Sequence, residues 1–205
     1  MKHLRTKLLN LAFDLLYSRF VFFHELAGRV LYGPAWHARR LACLAQLDGH
    51  RAVIDVGAGE GRLVAAASRR AIGLRGVEPS LVMRRSAMRR GVWLASGSSC
   101  RLPLHAGSVD AIVVTYPGRW ILGVETWREF RRVMSNDAAV VVLLGGTYER
   151  GPWARTRGLF ARAAYGPGDV QRLEYSMAAD YGIDLNIEVL NDHWGRLFVL
   201  RGRSN

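Results

Sequence analysis

"VIDVGAGEGR", residues 53–62, decides the fold. Val53, Ile54 and Val56 read as a short buried strand, and Leu63, Val64 and the alanines that follow read as a helix. Between them stand an acid, Asp55, and the glycines Gly57, Gly59 and Gly61. With no Cβ in the way, the backbone of such a turn can take left-handed angles and come into contact with a ligand. Amides at the start of the helix behind it add partial positive charge. In open α/β sheets, ligands bind outside the carboxyl ends of the strands, and the first strand-to-helix turn is the usual place.

Outward from this turn the chain alternates strand and helix. Asp48-Gly49 punctuates the entry, strands are predicted near 52–57, 74–78, 92–96, 109–115 and 138–144, and helices near 60–70, 80–90 and 125–134. That order predicts a doubly wound, mostly parallel sheet with helices on both faces. Past Gly146, helical material is expected around 153–165 and 169–181. Two strand-like runs follow, "IDLNIEVL" at 183–190 and "GRLFVLRG" at 195–202, joined by a stretch short enough for a hairpin. They complete seven strands, with the last antiparallel to the rest. We divide the chain into an N-terminal helical extension or lid, residues 1–47, and a domain over 48–205.

Composition narrows the class. A chain of 205 residues, half of them apolar, holds one substantial core. Cys43 and Cys100 stand far apart in no C-x-x-C pattern, so neither a disulfide framework nor a cysteine zinc site is supported, and the compartment reads as reducing, the cytoplasm. The histidines form no ligand pair, and no metal is assigned. The formal charge of +12 invites a nucleic-acid or membrane partner. Against this, nearly all of it is Arg, with Lys only at 2 and 7, and the Arg pairs fall in predicted helices with no like-charge block or basic tail. Nucleic acid is therefore kept as a partner that is not favoured.

The first 33 residues begin like a signal peptide, but Asn10, Asp14 and Arg19 interrupt the apolar run and no small-residue cleavage site follows. Leu4, Leu8, Leu11, Ala12 and Leu15 share one broad helical face, with Thr6, Lys7, Asn10 and Asp14 opposite. The polar face carries few cations, which suits a helix docked on the domain or lidding a pocket better than one lying on a membrane. Phe20, Phe22 and Phe23 leave peripheral membrane contact open.

The glycine spacing discriminates among ligands. Asp55 to Gly61 reads D-x-G-x-G-x-G rather than the G-x-G-x-x-G of dinucleotide sites. Asp55 and Glu60 beside the loop would repel a pyrophosphate and attract an amino group or sulfonium. Glu78, closing the second strand in "GVEPS", can accept both hydroxyls of a ribose.

Taken together, "VIDVGAGEGRL", "GVEPS", "GSSCRLPLHAGSVDAIVV" and "ETWREFRRVMSNDAAVVVLLGG" resemble the class I S-adenosylmethionine-dependent methyltransferases, which have a Rossmann-like sheet. The nearest flavour is the type-11-like branch that holds quinone-biosynthesis and small-molecule methyltransferases. Leu102-Pro103, Ser108 and Asp110 match that branch's third segment, and Glu129, Arg132 and Val133 its fourth. The resemblance implies S-adenosylmethionine as cofactor, with Asp55 near its amino group and the backbone of Gly57, Ala58, Gly59 and Gly61 around its methionine part. It further implies Glu78 on the ribose, the loop of Gly97, Ser98, Ser99 and Cys100 beside adenine with Pro79, Leu81 and Leu102 near the ring, and Thr115 at the end of the fourth strand. Ser98 stands where the family commonly has an Asp, and "SNDAA" at 135–139 replaces its P-G-G turn.

The segment Thr115-Tyr116-Pro117-Gly118-Arg119-Trp120 sits where the acceptor would enter, and it is not the [DN]-P-P-[YF] grip on exocyclic amines of bases. Tyr116 is a candidate clamp or base, Trp120 a stacking wall and Arg119 an anion contact; His37 and His105 are further candidate bases. The expected activity is methyl transfer to a small or lipophilic acceptor. Methylation of RNA or protein through the Arg surface, and a cofactor-binding module without catalysis, are the alternatives.

Overall fold

The computed structural model describes residues 35–70, 72–146, 179–193 and 195–204, with only the backbone of Arg119. Eleven regular elements follow in order: α1 (Trp36–Ala42), β1 (Val53–Val56), α2 (Arg62–Ser68), β2 (Leu74–Val77), α3 (Leu81–Met88), β3 (Leu94–Ala95), β4 (Val109–Thr115), α4 (Val124–Val133), β5 (Met134–Gly146), β6 (Ile183–Asp192) and β7 (Gly195–Ser204). The strands form one sheet in the order β3-β2-β1-β4-β5-β7-β6. The first five run parallel, and β7 enters antiparallel between β5 and β6. The expected seven-stranded sheet with its last strand reversed is the one observed. The helix expected about Trp36 to Gln46 at the end of the N-terminal extension is observed as α1 and the 3-10 turn Cys43–Gln46 that follows it. Those expected before residue 35 and around 153–165, and most of that at 169–181, lie outside the described residues.

Burial on both faces explains why the strands read as apolar runs. On one face Val53, Ala111, Val113, Val141 and Leu143 pack with Leu63 and Ala67 of α2, Ala87 of α3 and Trp36 of α1. On the other, Ile54, Val56, Ile112, Val114, Val140 and Val142 meet Trp127, Phe130 and Val133 of α4. Thr126, Trp127, Phe130 and Val133 fall on one helical stripe, which is why α4 lies on this face. α3 starts where Ser80 accepts the Met83 N–H at its N-cap. Residues 36–47 pack into the same core as the sheet, through Trp36, Cys43, Leu44 and Leu47.

The stretch "SNDAA" forms no separate turn. β5 begins directly after α4, with Met134 opposite Val109 and Ala139 opposite Ala111, so Ser135–Ala138 bulge out against the single residue Asp110. Asp137 absorbs the kink at φ 61°. Ser204 fastens it, its hydroxyl donating to the Ser135 carbonyl and accepting the Ala138 N–H.

Candidate functional site

The carboxyl ends of β1, β2 and β4 carry the residues singled out above. β1 turns at Gly57, whose N–H, like that of Ala58, donates to the Val77 carbonyl and seals the turn onto β2. Gly57, Gly59 and Gly61 all take positive φ. A Cβ on Gly61 would lie 2.8 Å from Val92 Cγ1, so that glycine is needed for helix packing as well. A Cβ on Gly59 would meet open space. The turn therefore leaves room beside its bare backbone at Gly59 and is jammed against the protein at its end.

Asp55 is the electrostatic centre of this edge. It is 1% exposed, and neither carboxylate oxygen has a hydrogen-bond partner. Burial lifts its pKa to about 7, with the Arg40 guanidinium opposing the rise and Glu78 adding to it. A buried carboxylate without donors is costly, and the cost is removed by a cation that brings its own N–H groups. The same burial pushes the neighbouring Cys43 thiol up to about 12, so Cys43 is an inert core residue.

Glu78 is brought to the turn but is already engaged. One carboxylate oxygen accepts the Gly59 N–H and the other the Ser80 N–H, each at 2.9 Å, which ties the end of β2 to the glycine turn. Burial raises its pKa while those two N–H donors and Arg84 hold it down. Each oxygen keeps a second lone pair for a hydroxyl. Glu60 corrects the sequence reading. Rather than adding its charge to the ligand side, it accepts from the Ser86 hydroxyl at 3.1 Å and pairs with Arg62 and Arg90, both at 3.2 Å. Asp55 alone carries the preference for a cation.

The loop after β3 folds back on itself where Ser98 and Arg101 exchange backbone hydrogen bonds. Gly97 and Ser98 line an open depression of ≈ 330 Å³ together with Ser96, Arg101, Leu102 and Pro103. Of the remaining loop residues, Ser99 is hydrogen-bonded to the Thr126 hydroxyl at 2.9 Å, and exposed Cys100 lies 3.2 Å from the Ser98 hydroxyl. Thr126 in turn donates to the Trp120 carbonyl, so this loop and the segment after β4 move as one unit. The matched motif residues further along are fasteners. Glu129 accepts the Leu102 N–H and a two-point salt bridge from Arg132, and Arg132 caps the Leu102 and Leu104 carbonyls. Hydrogen bonding by Arg132 holds the Glu129 carboxyl below its ordinary range. Asp110 accepts the N–H groups of Arg51 and Ala52.

Beyond Thr115 the chain enters a strained turn. Tyr116 sits at φ 53°, a left-handed angle that a non-glycine residue holds only when its surroundings dictate it. Its hydroxyl donates to the Trp36 carbonyl at 3.3 Å, and its ring lies 5.9 Å from that of Trp36. That hydrogen bond leaves the phenol as a donor, which suits a clamp better than a base. Trp120 lies over the glycine turn, its Cζ2 3.3 Å from where a Gly57 Cβ would stand. The Arg119 side chain lies outside the described residues. His37, on α1, is half-buried with its ring 4.4 Å from Trp36, on the same side of the sheet as Tyr116. His105 is not brought to this edge: it is exposed in the turn entering β4, at the amino end of the sheet, where its carbonyl accepts from Ser108.

Two residues escaped the sequence reading. Arg40, buried, stacks its guanidinium 4.6 Å from the Trp36 ring and 5.9 Å from that of Tyr116, beside Asp55. Arg39, also buried, makes a two-point salt bridge to Asp192 at 2.7 and 3.1 Å. Together they stretch α1 across the carboxyl edge from β4 to β6. An apolar period locates such a helix but does not reveal that its arginines turn inward.

This edge has a cradle of bare backbone, an orphaned buried carboxylate and an aromatic wall. Residues 54–142 match the family model of a methyltransferase domain. No curated protein sequence matches the chain. Among solved structures, the chain is similar to an S-adenosylmethionine-dependent methyltransferase from Thermotoga maritima described as a possible histamine N-methyltransferase. The two share 20% identity over 94% of this chain and 100% of that one, with a TM-score of 0.65. An S-adenosylmethionine-dependent methyltransferase from Archaeoglobus fulgidus aligns at 12% identity over 89% of this chain and all of that one, with a TM-score of 0.68. Phosphoethanolamine N-methyltransferase 2 of Haemonchus contortus, solved with phosphomonomethylethanolamine and S-adenosylhomocysteine, aligns at 15% identity over 93% of this chain and 59% of its own length, with a TM-score of 0.66. The chain has the Rossmann-like, class I fold of these proteins. Among the described residues no cluster of side chains could hold a metal, and no helix is long and apolar enough to cross a membrane.

Proposed function

We propose that the chain is an S-adenosylmethionine-dependent methyltransferase acting on a small or lipophilic acceptor. The observation that carries this reading is Asp55, a fully buried carboxylate with both oxygens unpartnered beneath a turn of bare backbone. The residues present fit the cofactor: Asp55 for its ammonium, Gly57, Ala58 and Gly59 for the chain that follows, Glu78 for the ribose hydroxyls, and the depression lined by Gly97, Ser98 and Leu102 for adenine. When bound, S-adenosylmethionine supplies an electrophilic methyl group on a sulfonium.

Transfer from such a centre is an in-line displacement, so the protein's work is to orient the partners and exclude water. Trp120 closes the side of the turn at Gly57, and Tyr116 and Trp36 form a wall held rigid by their mutual hydrogen bond. Arg40 keeps a positive charge against that wall, which favours an acceptor carrying an anionic or electron-rich group. His37, its ring 4.4 Å from Trp36, is a titratable base beside the wall, and Tyr116 fixes the wall's position. A small acceptor is supported by the absence of the base-gripping sequence after β4, and by the small amine acceptors named for two of the similar structures.

Calorimetric titration tests the reading. S-adenosylmethionine and its demethylated product should bind in the micromolar range, about −8 kcal/mol, and NAD should not bind. E78A should weaken binding by about 1–3 kcal/mol, because the ribose hydroxyls lose their acceptor. Wild-type affinity in both D55A and E78A would remove the assignment. Incubating the protein with a cell extract and methyl-labelled cofactor then identifies the acceptor.

A further inference from the structure

Between Arg62 and Val109 the sequence holds arginines at 62, 69, 70, 75, 84, 85, 89, 90 and 101, and one acid, Glu78. Glu78 is buried and bonded to backbone, so this stretch sends no carboxylate to the surface. Arg62 and Arg90 pair with buried Glu60, and Arg84 caps the Glu78 and Pro79 carbonyls. Arg69, Arg70, Arg75, Arg85 and Arg89 are exposed and pair with no described carboxylate. The apolar surface is also concentrated here. Leu81, Met88 and Trp93 are 51%, 60% and 76% exposed, and they are three of the four large hydrophobic side chains so exposed among the described residues.

The spacing turns these residues into one surface. Leu81, Arg85 and Met88 stand at i, i+4 and i+7 on α3, with Arg89 in helical conformation at its C-cap, a single stripe, and Trp93 follows at the entry to β3, an edge strand of the sheet. A merely solvated arginine face has no need of an exposed Leu, Met and Trp. We propose that the α3–β3 face binds an anionic lipid surface, with Leu81, Met88 and Trp93 entering the headgroup–acyl boundary and Arg85 and Arg89 contacting lipid phosphates. Cations interleaved with large apolar groups, without acids, make up the composition that such an interface selects. Single-stranded RNA would use the arginines and the Trp ring but would leave Leu81 and Met88 without a role. The stripe begins three residues after Glu78, so docking brings the end of β2 to the lipid surface, where a lipophilic acceptor would be met.

Sedimentation of the full chain with extruded vesicles tests this without methyl transfer or cofactor. We expect binding to vesicles containing phosphatidylglycerol, at least tenfold weaker binding to pure phosphatidylcholine, and a fall with added salt. R85Q/R89Q and L81S/M88S/W93S should each lower the partition coefficient about tenfold or more, with thermal unfolding unchanged because the side chains are exposed. Undiminished vesicle binding by both variants would overturn the proposal, since another part of the chain would then carry the affinity. Equal binding to neutral and anionic vesicles would do the same. So would absence of binding to the phosphatidylglycerol vesicles, and capture of a polyuridine RNA that R85Q/R89Q abolishes would then assign the face to RNA.

Discussion

Replacing Asp55 with Asn tests the centre of the site through pH. In the folded chain the carboxyl titrates at about 7, and in the unfolded chain at its ordinary 3.8. The folded state therefore prefers the protonated form. The contribution to stability is whole below pH 3.8, is lost as pH rises, and is gone above about 7. A difference of about 3 pH units at 1.36 kcal/mol each makes the loss about 4 kcal/mol. Asn removes the titration and keeps the shape, at a fixed cost of about 1–3 kcal/mol for an amide buried without partners. The stability of D55N relative to wild type should rise by about 2–3 kcal/mol between pH 5 and pH 7, then level off. Urea unfolding of the cofactor-free protein at each pH measures this. With Asp55 as the proposed partner of the cofactor's ammonium, cofactor binding should also depend on pH. Wild-type affinity should rise about tenfold per unit up to pH 7 and decline above about 8, where an α-amino group loses its proton. D55N should bind weakly, without the rising limb. A stability difference that stays flat from pH 5 to pH 8 would refute the reasoning, because the carboxylate would then have water or a donor beside it.

Four further substitutions probe the frame around that carboxylate. G61A places a Cβ 2.8 Å from Val92 at φ 68° and should cost about 2–4 kcal/mol by denaturation, whereas G49A, also at positive φ but with open space around it, should cost about 1–2. R39M removes one half of a partly buried ion pair; we expect a loss of about 2 kcal/mol and faster amide exchange along α1, and unchanged exchange would mean that the helix is held elsewhere. S98D should tighten cofactor binding by up to about 1 kcal/mol through a charge-assisted hydrogen bond to the adenine amino group. Equal affinity of S98D for a hypoxanthine analogue would place this loop away from the base.

The sheet was legible in the sequence because its central strands are buried on both faces and bounded by turn residues. Val53–Val56 and Val109–Thr115 needed no tertiary information, and the glycine turn announced itself by spacing. Less legible were choices made by partners distant in sequence. Glu60 looks like a ligand-facing acid until Ser86 and Arg90, on another element, claim it. "SNDAA" looks like a turn until Ser204, at the far end of the chain, stitches it into a bulge. Tyr116 reads as an open phenol until the Trp36 carbonyl, from another element, accepts its hydrogen bond. His105 is close to the loop in sequence, yet it precedes a strand rather than following one, and a parallel sheet sends those two positions to opposite edges.

The salt bridge from Arg39 to Asp192 joins residues 153 positions apart. On a ribosome adding about 5–20 residues per second, the guanidinium emerges roughly 8–30 s before its carboxylate has been made. The two central strands and the glycine turn can assemble in that interval, but α1 has no anchor at its far end until the terminal hairpin closes. The Asp55 side of this edge is thus completed last, and a chain cut short before the hairpin carries the glycine turn without α1 fastened over it.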